Sequence, residues 1–140
     1  MHKLRILSIG KTKESWLEEA IDEYLKRLSK IICIEFVWAK NDEQLLALAS
    51  KEPTLVCLDA NGKMMNSEAF STFIVKKFEE GGSRLAIVIG GAEGLPTKLK
   101  QHPTLISLSP MTFTHQLVRL VLVEQIYRAF EIDKGSCYHK

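Results

Sequence analysis

The chain is short of cysteine, of proline, of long apolar runs and of charge of one sign, and each shortage excludes a class of protein. Its three cysteines, Cys33, Cys57 and Cys137, are odd in number and lack paired spacing. They make neither a disulfide framework nor a zinc ribbon, and a reducing cytoplasm is the expected setting. Apolar runs are short, that at 120–123 being cut off by Arg119 and Glu124, far below the ~20 residues of a membrane helix, so no membrane partner is expected. Met1-His2-Lys3-Leu4 leads directly into a strand pattern with no signal-peptide architecture. Net charge is only +2. It is spread unevenly, with seven Lys/Arg against five Asp/Glu in 1–30, five against eight in 31–80, and seven against four in 81–140. A non-specific nucleic-acid binder carries a stronger basic excess, so an RNA partner has to be recognised by shape or within a larger assembly.

What is present is enough for one core. The chain has 140 residues, 46% of them apolar, the size of a single domain spanning 1–140. Strand-type runs at 3–9, 31–38, 54–58, 85–89 and 104–108 alternate with helical patterns at 14–30, 41–50, 67–80 and 114–130. In the first helix Trp16, Leu17, Ala20, Ile21, Tyr24, Leu25 and Leu28 recur at amphipathic spacing. Asn41 with Gln44 resembles a capping box, and Pro96 suits the first turn of a short helix. The alternation predicts an α/β layered domain with a mainly parallel sheet. Ligands of such sheets collect beyond the carboxyl ends of the strands.

That rule selects three segments. Asp59 to Lys63, containing Asn61-Gly62, reads as a turn with surface charges or as a site. Gly90-Gly91-Ala92-Glu93-Gly94 lacks the spacing of a dinucleotide fingerprint or a P-loop; it reads equally as a tight turn or as backbone that a ligand approaches closely. The third segment, 108–113, places Met111 and Phe113 in a loop, where packing against a ligand or a second subunit gives them a reason; the alternative is that both fold back into the core. Leu117, Val118, Leu120, Val121, Leu122 and Val123 cover most of the last helix's circumference. A chain of this size has little interior for such a helix, which points to a homodimer. Glu124 and Arg128 stand in the order that favours a local ion pair. His2 and His102 read as surface residues, and His115 as a cap or orienter of the last helix. Cys137 and His139, with His115, make only a weak zinc signal.

Taken together, these motifs are specific. Leu-Asp-x-x-Gly-Lys at 58–63, Ile-Gly-Gly-x-x-Gly at 89–94, Leu-Ser-x-Met-Thr-Phe-x-His-Gln-Leu-x-Arg at 108–119, Glu-Gln-Ile-Tyr-Arg-Ala-Phe at 124–130 and the closing Tyr-His-Lys resemble the small SPOUT-class ribosomal RNA methyltransferases. More closely, the chain is similar to the family that methylates N3 of a pseudouridine in bacterial large-subunit rRNA. The resemblance runs from the first strand to the last residue. It implies a parallel-sheet α/β domain with a C-terminal trefoil knot, a topology that no periodicity would suggest. It also implies a homodimer, S-adenosylmethionine as methyl donor, no metal, and an acceptor in 23S rRNA on the assembled ribosome. By position, Leu58, Gly90, Leu108, Ser109, Pro110, Met111, Thr112 and Phe113 match the cofactor contacts. Pro110, Thr114 and Cys137 depart from common family residues, and Trp38 to Asn41 is shorter than in most members.

Methyl transfer from a sulfonium is an in-line displacement, so alignment is the enzyme's main task. N3 of pseudouridine carries a proton at neutral pH that a base must remove, or whose loss cations must stabilise. His139 is the candidate base, since an unperturbed imidazole with pKa about 6.5 is mostly neutral in the cell. The carboxylate of Lys140 is a weaker candidate. Lys140, Arg119 or Arg128 would hold phosphate or developing negative charge, and Tyr138 would stack on or hydrogen-bond to the flipped base. Two other readings compete: a ribosome-associated factor without turnover, and a flavodoxin-like nucleotide-binding enzyme, which the alternation of elements alone would allow.

Overall fold

A computed structural model describes residues Met1–Lys140. The elements follow in the order β1 (His2–Ile9), α1 (Ser15–Leu28), β2 (Ile32–Ala39), α2 (Asp42–Ser50), β3 (Leu55–Met64), α3 (Ser67–Glu80), β4 (Arg84–Ile89), α4 (Thr97–Lys100), β5 (Leu105–Ser107) and α5 (His115–Asp133). The five strands form one sheet in the order β2-β1-β4-β3-β5, and every pairing is parallel. A parallel sheet needs cover on both faces, because its crossover helices lie there.

Side chains alternate across the pleat and so divide the apolar residues between two cores. Leu4 and Ile6 of β1, Val56 and Leu58 of β3, and Leu85, Ile87 and Ile89 of β4 pack with α1, α3 and α5. Leu7, Cys57 and Val88 face the other way, against Leu45 and Ala49 of α2 and Leu95 and Leu99 beside α4. Helix starts are satisfied locally: Asn41, Asn66 and Thr114 each accept a hydrogen bond from a first-turn backbone N–H. Gln44 reaches back to the Lys40 N–H, one residue before the Asn41 N–H that a capping box would engage.

Two sequence expectations change. Trp16, placed by periodicity on the buried face of α1, is 58% exposed; the face that enters the core is Leu17, Ile21 and Leu28. β3 does not stop at Leu58. It continues to Met64 through an irregularity in which Leu58 and Lys63 both register with Ile106 of β5. Gly62 permits this, since a β-carbon there would sit 2.7 Å from backbone atoms of Ile106. No helix is long and apolar enough to cross a membrane.

Candidate active site

The carboxyl ends of β3, β4 and β5 lie side by side, and the segments that leave them enclose a cleft of about 380 Å³. Its floor is apolar, made of Leu58, Ile89, Leu95 and Leu108, and its rim carries Asp59, Asn61, Glu93 and Lys100. Met111, Thr112 and Phe113 form a wall, joined by His115 and Val118 of α5. The volume lies in the range of small-molecule sites, and nine of the nineteen lining residues are hydrophobic.

Local chemistry fixes the two loops. Gly90 lines the cleft, but the backbone it admits is the chain's own. A β-carbon there would collide with Gly94 and Leu95, and the loop closes on itself through a Gly91–Gly94 bridge. Of the two readings of this segment, the tight turn accounts for the glycine at 90. In the next loop the Ser107 hydroxyl donates to the Ser109 carbonyl (2.9 Å), and Ser109 Oγ accepts from the Met111 N–H (3.0 Å). Thr114 then caps α5. This stitching holds Met111 and Phe113 out of the core, 70% and 40% exposed, and both line the cleft. Of the residues assigned by resemblance to the cofactor, Leu58, Gly90, Leu108, Ser109, Met111, Thr112 and Phe113 line this cleft. Pro110 is exposed and is not part of its lining.

The closing tail lies elsewhere. His139 borders a second cleft, of about 350 Å³, with Met65, Asn66, Glu68, Ile106 and Gln125. Leu108 lines both clefts and is where they adjoin. Within one chain His139 borders the second cleft and not the first. The tail is tied to α5 and α3. The Tyr138 hydroxyl donates to Glu124 (2.9 Å), its ring stands edge-on to Tyr127 (4.8 Å), and the Arg128 guanidinium lies 4.9 Å over its face. Arg128 also pairs with Glu124 (2.8 Å) and points Nη1 at His139 Nδ1 (3.0 Å). His139 Nε2 meets the Glu68 carboxylate at 2.6 Å. A guanidinium only donates and an ionised carboxylate only accepts. The neutral imidazole that suits both carries its proton on Nε2 and offers the Nδ1 lone pair to Arg128. The hydrogen bond from His139 holds the Glu68 carboxyl below the usual range, and the one from Arg128 to Glu124 raises the Arg128 guanidinium. Burial, then the bond to Glu124, pushes the Tyr138 phenol upward, so it stays protonated as a donor. Lys140 is exposed.

Arg119 is in neither place. It is fully buried, its guanidinium donating to Ser8 Oγ (3.0 Å), Ile9 O (2.8 Å), Gly10 O (2.6 Å) and Thr12 Oγ1 (3.2 Å) and lying 4.6 Å over the Trp38 ring. Desolvation lowers its pKa to about 10, which leaves it charged at neutral pH. With its donors engaged it clasps the end of β1 and does not meet the tail. Burial, then the charges of Arg119 and Lys13, lowers the pKa of His115 and keeps that cleft-lining ring neutral. The zinc grouping separates as well, since His115 and His139 border different clefts. Sequence reasoning missed Glu68, 71 positions from His139, for which no local signal exists. It saw Glu124 and Arg128 only as a local pair, without the tail that they hold.

A five-stranded parallel sheet covered by helices, with a cleft on the loops that leave its last strands, is the class that fold and site define. Residues 2–139 match the family model described as predicted SPOUT methyltransferase. The chain belongs to the SPOUT methyltransferase family. It is 63% identical, over all 140 residues of both chains, to a Protochlamydia amoebophila protein named ribosomal RNA large subunit methyltransferase H. A Geotalea daltonii protein of the same name is 38% identical, with 98% of this chain and 99% of the relative covered. In fold the chain resembles a probable methylase family protein from Haemophilus influenzae, with a TM-score of 0.54, 13% identity, and 94% of this chain and 66% of that one covered. It also resembles TrmJ from Z. mobilis, with a TM-score of 0.53, 8% identity, and 91% and 69% covered.

Proposed function

We propose that this protein transfers a methyl group from S-adenosylmethionine to N3 of a pseudouridine in large-subunit (23S) ribosomal RNA, acting in the cytoplasm as a homodimer on the assembled ribosome. The observation that carries the reading is the cleft beyond β3, β4 and β5, walled by the stitched 108–113 loop, in a chain 63% identical to a large-subunit rRNA methyltransferase. The residues present fit the donor: apolar Leu58, Leu108, Met111 and Phe113 for its flat and aliphatic parts, and polar Asp59, Asn61 and Glu93 at the rim for its charged groups. Bound there, S-adenosylmethionine supplies an electrophilic methyl carbon on a sulfonium, and no metal is needed for the displacement.

The protein's own residues supply alignment and proton handling. The acceptor base enters the cleft bordered by His139, which shares Leu108 with the donor cleft. His139 becomes a base for the N3 proton once its Nδ1 lone pair leaves Arg128 (3.0 Å in this pose), so Arg128 holds the base until RNA arrives. The freed guanidinium and Lys140 then face phosphate or the developing imide anion. Tyr138, protonated and anchored on Glu124, offers a ring for stacking. Leu117, Leu120, Val121 and Tyr127 leave part of their surface uncovered on α5, and Trp16 stands exposed on the neighbouring α1. These supply an apolar face for a second copy. Threading of the last segment into a trefoil knot belongs to the same proposal.

The test is to incubate the protein with methyl-labelled S-adenosylmethionine and ribosomes lacking the modification, with naked rRNA and isolated subunits alongside, and to identify the labelled nucleoside by mass spectrometry. Label on pseudouridine N3 is the expected result. Cofactor binding without label points to another RNA acceptor, and absence of binding favours a factor without turnover.

A further inference from the structure

At the opposite, amino-terminal ends of the strands Lys3, Cys33, Glu35 and Arg84 are exposed. A groove of about 570 Å³ lies there, between the first residues of β1, β2 and β4 and the turn that leads into β3. Its charges are uneven. Lys3, Arg5, Lys51 and Arg84 line it against Glu35 and Glu52. Glu52 is already taken, paired with Arg5. Lys3, Lys51 and Arg84 form no ion pair, and all three are exposed.

The arrangement within the sheet is what asks for an explanation. Lys3 and Arg84 are direct register partners on adjacent parallel strands, so their side chains leave the same face side by side. Like charges in that position destabilise a sheet. The position across Lys3 on its other flank is Cys33, not an acid. Glu35 is the register partner of Arg5 instead. Two adjacent cations are thus kept together with no acidic cross-strand partner, on a concave, mostly hydrophilic surface. Such a site suits a multiply charged anion. It does not suit an acidic protein segment as well, because only Leu4, Pro53 and Leu85 among its lining are apolar, and a protein partner is anchored through buried aromatic or aliphatic pockets.

We infer that this groove is a second ribosomal RNA contact, in which Lys3, Arg84 and Lys51 grip backbone phosphates away from the modified nucleotide. The inference rests on the proposed rRNA substrate. It reconciles that substrate with a net charge of only +2, because the positive charge needed is local rather than general. β1 runs the distance between groove and cleft, about 20 Å from Lys3 to Ile9 at ~3.3 Å per residue. Phosphate contacts this far from the reacting base position the protein without reading sequence.

The test uses the full chain with Lys3→Glu and Arg84→Glu combined, and Lys40→Glu with Lys76→Glu as a control for net charge. Binding to assembled ribosomes, to large ribosomal subunits and to protein-free large-subunit rRNA is measured across a series of KCl concentrations. The groove variant is expected to bind at least about tenfold more weakly, with a salt slope flatter by about one to two. It should keep wild-type S-adenosylmethionine affinity and melting temperature. Cys33, exposed in the same groove, should be protected from alkylation when subunits bind. Equal loss in the control variant overturns the inference, as does an unshielded Cys33 or an effect seen on subunits but not on protein-free rRNA. Wild-type protein that binds with the steep slope yet methylates no ribosomal particle sinks the proposed reaction and leaves the groove standing.

Discussion

Arg119 and Arg128 lie on the same helix, and their surroundings are opposite. Arg119 is buried and spends its donors on the neutral acceptors Ser8, Ile9, Gly10 and Thr12. Arg128 is part-exposed, paired with Glu124, and touches the tail through His139 and Tyr138. The first half of α5 is therefore fixed to the end of β1 by bonds that water cannot replace. The second half holds the tail by bonds near solvent, each worth little on its own. A scaffold belongs in the first setting, and a group that must let go of its partner to react belongs in the second.

The largest effect should come from the releasable half. His139→Ala is expected to lower methyl transfer about 10²- to 10⁴-fold, the range of a lost general base, with S-adenosylmethionine affinity unchanged by calorimetry. Wild-type turnover in that variant removes His139 as the base. Next comes the fixed half. Arg119→Ala leaves two carbonyls and two hydroxyls without their donor and opens a cavity, at a cost of about 2–4 kcal/mol, read by urea unfolding. A cost near zero would erase the contrast between the two arginines. Arg128→Gln sharpens it from the other side. Stability should fall by less than about 1 kcal/mol, while the tail loosens and the pH profile of turnover changes. The smallest effect concerns His115. Burial, Arg119 and Lys13 depress its folded pKa, so between that lowered value and about pH 6.5 the unfolded chain binds more protons there than the native one. Its penalty is therefore present at acid pH and gone above pH 6.5, and stability rises with pH through that window. His115→Asn should flatten this rise in melting temperature, and an unchanged slope would assign it to other groups.

Much of the fold was legible beforehand because its signals are short-range. Alternating strand and helix periods, the Asn41–Gln44 cap and the 67–80 helix all appear in the structure where the sequence places them. Periodicity failed at Trp16, since a helical stripe can be apolar to meet something outside the chain. It failed again at β3, where the continuation to Met64 depends on β5 accepting a bulged partner. The candidate site divides in the same way. The 108–113 loop could be read because two exposed apolar residues beside hydroxyls are unusual in a loop. The tail's place beside Glu68 could not, and neither could the burial of Arg119.

The sequence by itself determined the α/β class, the order of its elements, the caps and the loop that walls the cleft, because each depends on residues a few positions apart and on the sterics of one helix turn or one pleat. Only the tertiary structure decided which arginine is a clasp and which a holder, why Gly90 is glycine, and that His139 meets a carboxylate 71 positions away. Those outcomes depend on strand order: placing β4 between β1 and β3 determines which distant groups share a surface, and no local period encodes that order.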